Sequence, residues 1–369
     1  MTMEEACGNA ADSLSSAVPG QWLPWSEDHL EQEGLDPSVI EAQHNLLTEL
    51  AAPFLGLEVL NPPPGVEARA HRIIGQKTYM GEPGPGARLL IQLFHPTYKI
   101  AGESTAGIKI FINDLSPLFH GIAGGEIKDE EGPLFSEPIL VGKLGGADVY
   151  WSERPRDCIA VFKGNQGPLW TPVSNERYLR ANIKAIEDKV AAERKSYEAD
   201  RKKRVSRSTM PDQAEQKKML EQMRASNPEA AKDFEEQLAK MQRMIEDKMP
   251  EIQQETDSEF EKTAGVLIPQ INKFKTELAA MSPAQRAAPA YWGGTNGSKT
   301  TLLSSPDDTG SRALVAPAKS YFSETTDPRE VRLLIIEFAS YAAHAPETAI
   351  MTRMRKELDW RQFRRFVGK

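Results

Sequence analysis

The chain has very little cysteine and no long apolar run. Only Cys7 and Cys158 are cysteines among its 369 residues, so a disulfide framework is excluded and one bridge is the maximum. Cys158 lies in the apolar run 158–162, which predicts a buried small side chain instead of a nucleophile. No stretch approaches the roughly 18 to 20 apolar residues that cross a bilayer, so we predict no membrane span.

An export signal is also missing from the sequence. The first thirty residues contain no apolar run of signal length, and residues 1–5 are acidic where such a signal is basic. The sequence therefore predicts a cytoplasmic protein. The alternative is an exported or periplasmic protein whose leader has been removed.

Positive charge is in deficit, because the formal net charge is −8. Residues 175–283 hold 21 of the 45 Lys and Arg residues and 21 of the 53 Asp and Glu residues, so the acidic excess lies outside this segment. A nucleic-acid binder needs a basic face, so we predict no nucleic-acid partner. The basic run 201–204 is interpreted as a solvated turn at the end of a long helix, where cations meet the negative end of the helix dipole; the alternative is a basic contact patch or a targeting signal.

Short runs of branched and aromatic residues predict β-strands in the first half of the chain. Gly- and Pro-rich turns separate the runs and no helical pattern lies between them, which favours an antiparallel sheet over a doubly wound parallel sheet. Asp36 and Pro37 predict the start of a helix that ends near Pro53. The six predicted strands contain residues 73–74, 89–94, 108–112, 139–141, 149–151 and 159–162.

The middle of the chain has a helical pattern instead. Apolar residues recur at heptad-like spacing in three stripes, which are separated by breaks around Pro211 and Pro228 and again at Pro250. Such stripes must pack against something, so we predict a helical hairpin or a three-helix arm. The stripes comprise Leu179, Ile183, Ile186, Val190 and Tyr197, then Phe234, Leu238, Met241 and Ile245, then Leu267, Ile271, Phe274, Leu278 and Met281.

These patterns predict an α+β protein with a mostly antiparallel sheet lobe and a long helical insertion. The predicted division is an N-terminal tail (1–28) anchored by Trp22 and Trp25, a first lobe segment (29–170), the helical arm (171–283) and a C-terminal segment that completes the lobe (284–369). Residues 331–343 are expected to be buried. Residues 351–366 are expected to form one amphipathic helix, anchored by Leu358, Trp360, Phe363 and Phe366.

No chemical motif is complete. Residues 293–300 resemble a phosphate-binding loop, but Ser298 stands at the second required glycine. Ser104 lacks the glycine that a nucleophile elbow has two residues later. The histidines show no short ligand spacing, and the alternative is a site assembled from His71, His95 and His120 on separate strands. We therefore predict no catalytic, cofactor-binding or metal-binding residue and no cofactor.

One segment resembles known proteins. Residues 167–174, Gly-Pro-Leu-Trp-Thr-Pro-Val-Ser, followed by Glu176, Tyr178 and Leu179, are similar to a segment of uncharacterised bacterial proteins, many of them exported. In those proteins a strand leads through this step into a long helix. The resemblance covers about a third of the chain; it implies no activity and no site residue, but it implies an extracytoplasmic address.

The missing motifs and the apolar stripes together favour a non-enzymatic interaction or structural protein that uses its helical arm. The expected partner is another protein or a second copy of the chain, bound through the arm. The alternative is a hydrolase or a small-ligand binding module with a cleft between the lobe and the arm.

Overall fold

The computed structural model describes residues 20–76, 86–94, 106–119, 127–151, 158–164, 167–208, 213–293, 303–321, 327, 330–340 and 345–368. The chain divides into two units. The sheet unit consists of residues 1–174 and 289–369, and the helical arm consists of residues 175–288. Residues 171–174, expected in the arm, belong to the sheet unit because the strand at 170–172 pairs within it.

The helices are α1 (Pro37–Leu55), α2 (Ser116–Phe119), α3 (Asn175–Ser208), α4 (Gln213–Ser226), α5 (Pro228–Ala280), α6 (Pro283–Ala287) and α7 (Ala345–Glu357), with 3-10 helices at Glu58–Leu60, Lys319–Tyr321 and Trp360–Phe366. The strands are β1 (Gln21–Trp22), β2 (His29–Leu30), β3 (Glu67–Gln76), β4 (Gly86–Phe94), β5 (Ala106–Ile112), β6 (Lys128–Asp129), β7 (Gly132–Pro133), β8 (Phe135–Ser136), β9 (Leu140–Leu144), β10 (Ala147–Trp151), β11 (Cys158–Lys163), β12 (Trp170–Pro172), β13 (Tyr291–Gly293), β14 (Ser311–Pro317) and β15 (Leu333–Ser340).

A large, mostly antiparallel sheet forms the centre of the sheet unit. Its order is β1-β3-β4-β5-β15-β11-β10-β9, and β2 also pairs with β3. Only β1 and β2 run parallel to their neighbour. All six predicted strands are present, and the α+β class with a helical insertion is confirmed.

Successive side chains of the central strands point to opposite faces of the large sheet. Other parts of the sheet unit cover both faces. On one face, Ile110 and Leu334 pack against α1 and the C-terminal segment. On the other face, Phe111 and Ile335 pack against a second cluster that includes Tyr321. This double covering explains why residues 331–339, apart from the half-buried Glu337, are buried, as the sequence predicted; residues 341–343 of the predicted segment lie outside the described residues.

A smaller sheet, ordered β12-β14-β13 with β8 also on β14, marks where the arm leaves the sheet unit. Ser174 and Pro289 form a β-bridge, and the Ala290 amide donates to the Val173 carbonyl at 2.8 Å. The chain thus enters and leaves the insertion at adjacent points, so the insertion does not interrupt the sheet.

Helix α1 starts with the predicted Asp36 cap and ends at Leu55, close to the predicted end near Pro53. Two other predicted helix boundaries were wrong. Pro250 does not end a helix, because it lies inside α5, which is 53 residues long in total. Residues 351–366 are not one helix: α7 ends at Glu357 and a 3-10 helix follows. A proline costs about 3 kcal/mol inside a helix, which tertiary packing offsets here. The four predicted C-terminal anchors are all buried.

Candidate functional site

The arm is built on two antiparallel helices, α3 and α5. Lys275 Nζ lies 2.8 Å from Glu187 Oε1, and the Tyr197 hydroxyl lies 3.5 Å from Thr263 Oγ1. Residue numbers therefore rise along one helix as they fall along the other. Apolar side chains from the third predicted stripe fill the seam between the helices, and Ile271 and Phe274 are buried there.

The first part of α5 pairs with α4 instead. Arg224 forms an ion pair with Glu235, and Ala231 is buried beside the turn between the two helices. Helix α5 would be about 80 Å long at 1.5 Å per residue, so α3 and α4 pair with successive parts of it. The second and third predicted stripes thus belong to one continuous helix.

Large apolar side chains remain exposed on this arm. Met219 is 51% exposed, Met241 43% and Met244 54%, and Val266 and Ile268 are also exposed. Among the described residues, the only other exposed large apolar side chains are Leu30 and Leu140 of the sheet unit. Packing of two helices against each other covers one strip of each, so these side chains have no covering partner within the described arm.

Two of the methionines share one edge of the helix pair. Met219 immediately precedes the seam residue Leu220, and Met244 immediately precedes position 245 of the second stripe. Arg224 and Glu235 instead each follow a seam residue. In an antiparallel pair, residues that precede the seam on both helices share one edge, and those that follow it share the other. We call the edge with Met219 and Met244 the methionine edge.

The basic run 201–204 lies in the last two turns of α3, as the sequence predicted. The contacts of Glu187 with Lys275 and of Tyr197 with Thr263 place the backbone of residues 201–207 opposite about residues 254–260. Residues 251–261 contain five acidic residues and no basic residue.

The sheet unit contains a polar cluster around Asp28. Its carboxylate accepts a hydrogen bond from Arg72 Nε at 2.7 Å and lies 2.6 Å from His44 Nδ1. Arg72 also lies over the Trp25 ring, 4.4 Å from its centroid. Burial raises the pKa of Asp28, but the hydrogen bonds from Arg72 and His44 outweigh burial and leave the pKa below its ordinary value.

A buried acid lies where β5 ends. Asn113 has a positive φ of 54°, and its side chain binds the amides of Arg332 and Leu333 at 2.9 and 3.1 Å. Burial raises the pKa of the adjacent Asp114, although Asp114 accepts a hydrogen bond from the Ser116 amide. This cluster joins β5 to β15 and caps α2, which accounts for its polar groups without a ligand.

Most residues of the partial motifs lie outside the described part of the chain. Cys158 is buried, with Arg355 Nη1 at 3.7 Å from its sulfur. His71 lies beside His29, while His95, His120, Ser104 and residues 294–300 fall outside the described residues. Within the described ranges, no three His, Cys, Asp or Glu side chains are grouped so as to bind a metal ion. No helix in the same ranges is long and apolar enough to span a membrane.

No local pattern in the sequence marks the Asp28 cluster. Asp28, His44 and Arg72 are separated by 16 and 28 positions, and they come from three different elements. Only the two tryptophans indicated that the N-terminal segment docks onto the folded body, and both do pack against the core. Comparison of the chain with models of known protein families, with curated proteins and with solved structures gives no match.

Proposed function

We propose that this chain is a non-enzymatic interaction protein whose arm pairs with a second copy of itself. The observation that carries the proposal is the exposure of large apolar side chains on a helix pair that has only one seam. Methionine suits such a surface because its unbranched side chain adapts to the opposing shape. In this interpretation the arm is an antiparallel coiled coil that presents the methionine edge to its partner.

Charge favours a second copy as the occupant. Residues 175–283 carry equal numbers of acidic and basic residues, whereas the rest of the chain carries the whole net charge of −8. Two arms can therefore approach without net repulsion, while two sheet units repel each other. Homodimers are also the commonest assemblies of soluble proteins.

Sedimentation of the full chain over a range of concentrations tests the proposal. We expect a dimer at micromolar concentration, and we expect the double variant Met219→Lys with Met244→Lys to be a monomer with unchanged helix content. The matched control is Ile268→Lys, an exposed apolar position that follows the stripe residue Leu267 and therefore lies on the opposite edge, which should remain dimeric. A wild-type chain that is strictly monomeric at every concentration would overturn the proposal.

A hydrolase or small-ligand module is the second candidate. Its support is the contact between Asp28 and the part-exposed His44, since a carboxylate that orients an imidazole is the arrangement of a general base. Hydrolysis of activated esters that is lost in His44→Gln, or a thermal shift with one metabolite of a panel, would favour it.

We infer a cytoplasmic address for either function, against the exported alternative that the bacterial resemblance implies.

A further inference from the structure

Residues 20–31 lie along the edge of the large sheet, and we call them the strap. The amides of Gln21, Leu23 and Ser26 donate to carbonyls of residues 66, 68 and 70, at 2.8 to 3.2 Å. At the far end, the Glu31 amide donates to the Ile74 carbonyl at 3.1 Å. The strap thus occupies the backbone edge of β3, which would otherwise be open to another extended chain.

Side chains fasten the strap at three points. At its start, Trp22 Nε1 donates to the Leu60 carbonyl. In the middle, Asp28 bridges Arg72 of β3 and His44 of α1. At the far end, the His29 ring stacks on the His71 ring, with 6.4 Å between centroids. The first two fastenings are a neutral hydrogen bond and an ion pair, whereas the third joins two groups that acquire the same charge.

The histidine pair has cationic neighbours on β3 and acidic neighbours on the strap. Arg69 and Arg72 flank His71 on β3, and among the described residues Asp28 is the acidic group that acts against them on His71. On the same face of the sheet, alternation places Arg88 on β4, and Lys109 on β5 pairs with Glu337 of β15. Along the strap, the exposed Glu27 and Glu31 lie two residues before and after His29. A positive charge on His71 itself therefore meets two arginines and one carboxylate.

We propose that the strap is an acid-sensitive fastening, in which protonation of both His29 and His71 opens its β2 end and uncovers the edge of β3 at Ile74. Two imidazolium rings at the observed spacing repel each other, and the neighbouring arginines add to the repulsion. Asp28 remains bound to Arg72 during this step and acts as the pivot, because its carboxylate is still ionised.

The direction of the response follows from the titrating groups. Burial lowers the pKa of His71 below 6.5, and the charges of His29 and Arg69 act in the same sense. The folded state then binds fewer protons than the unfolded state, so the stabilisation is present above pH 6.5 and is lost as the pH falls below it. The pKa of Asp28 is itself below 3.8, so its bridge fails only in stronger acid. The strap therefore opens in two steps.

Amide hydrogen exchange on the full chain tests this inference. Between pH 7.5 and pH 5.5, we expect the protection factor of the Glu31 amide to fall by about tenfold, as repulsion at this distance implies. The Leu23 amide, near the first fastening, should keep its protection factor. A Glu31 protection factor that stays constant relative to that of Leu23 would overturn the inference.

Neutral substitutions separate the histidine pair from other causes. His71→Gln should remove the pH dependence at Glu31, while the control Glu33→Gln, an exposed change outside the strap, should retain it. If His71→Gln does not fold, the exposed His29→Gln gives the same comparison, since it also removes one of the two charges. If the protection factor of the Glu31 amide still falls tenfold in His71→Gln or in His29→Gln, a group other than the histidine pair causes the fall.

Discussion

The sheet unit buries large side chains on both faces of its central strands, whereas the helical arm buries a single strip of each helix. Phe162, Phe338 and Phe363 have essentially no exposed surface in the sheet unit. In the arm, Leu179 and Tyr178 are buried near the start of α3, but the seam residues Ile271 and Phe274 remain 7% exposed, and Met219 and Met244 are mostly exposed. The sheet unit is thus stabilised by its own core, and the arm retains apolar surface that another molecule could cover.

The largest loss in the free energy of unfolding is expected from a substitution in the core of the sheet unit. Phe363 contacts Phe54, Phe162 and Trp360, so Phe363→Ala should lower the free energy of unfolding by about 3 to 5 kcal/mol through the cavity it leaves. Urea denaturation measures this change. The control Arg361→Ala, at a highly exposed position nearby, should stay within about 0.5 kcal/mol of the wild type.

The same truncation in the arm sharpens the contrast. Phe274→Ala should cost about 2 kcal/mol, less than a fully buried phenylalanine, because part of the arm seam is already open to water. Urea denaturation followed by helical circular dichroism measures it, with the exposed Lys273→Ala as control. A loss equal to that of Phe363→Ala would mean that the arm is as well packed as the sheet unit.

A smaller, pH-dependent effect belongs to the strap. Asp28→Asn should lower the free energy of unfolding by about 1 to 2 kcal/mol at pH 7, because it weakens two charge-assisted hydrogen bonds. The folded-state pKa of Asp28 is below 3.8, so this difference should shrink as the pH falls through that range. Paired urea titrations at pH 7 and pH 3 measure it, with the exposed Glu33→Gln as control. A difference that is the same at both pH values would contradict this role of Asp28.

The smallest effect is expected on the surface of the arm. Lys275→Glu should cost at most about 1 kcal/mol, because the Glu187 pair is solvent-exposed on both sides. Combining it with Glu187→Lys should restore most of that loss. A double variant no better than the single one would show that the two charges are not coupled, and would question the register of α3 against α5.

The two regions also differ in how far the sequence predicts them. Residues such as Ile183 and Phe274 recur with the period of a helix, so the arm can be found from local spacing alone. Its uninterrupted α5 cannot, because the packing that offsets Pro250 comes from a different helix. In the sheet unit, branched runs predict the strands, but β12 and β13 have only three residues each, and β14 contains only two branched side chains, Leu314 and Val315.

The Asp28 cluster and the exposed methionines could not be predicted from the sequence for a related reason. Asp28, His44 and Arg72 meet only after the strap, α1 and β3 are in place, so no local spacing marks them. The exposure of Met244 was hidden in the same way, since the sequence shows the apolar stripes but not which positions the second helix covers. Tertiary packing decides both features.

The most direct measurement of the central claim is methionine oxidation in the full chain, followed residue by residue at increasing protein concentration. Met219 and Met244 should become several-fold slower to oxidise as copies associate. Met351, buried in the sheet unit, should be slow at every concentration, which controls for unfolding. Rates at Met219 and Met244 that are high and independent of concentration would contradict the claim that the methionine edge is where two arms meet.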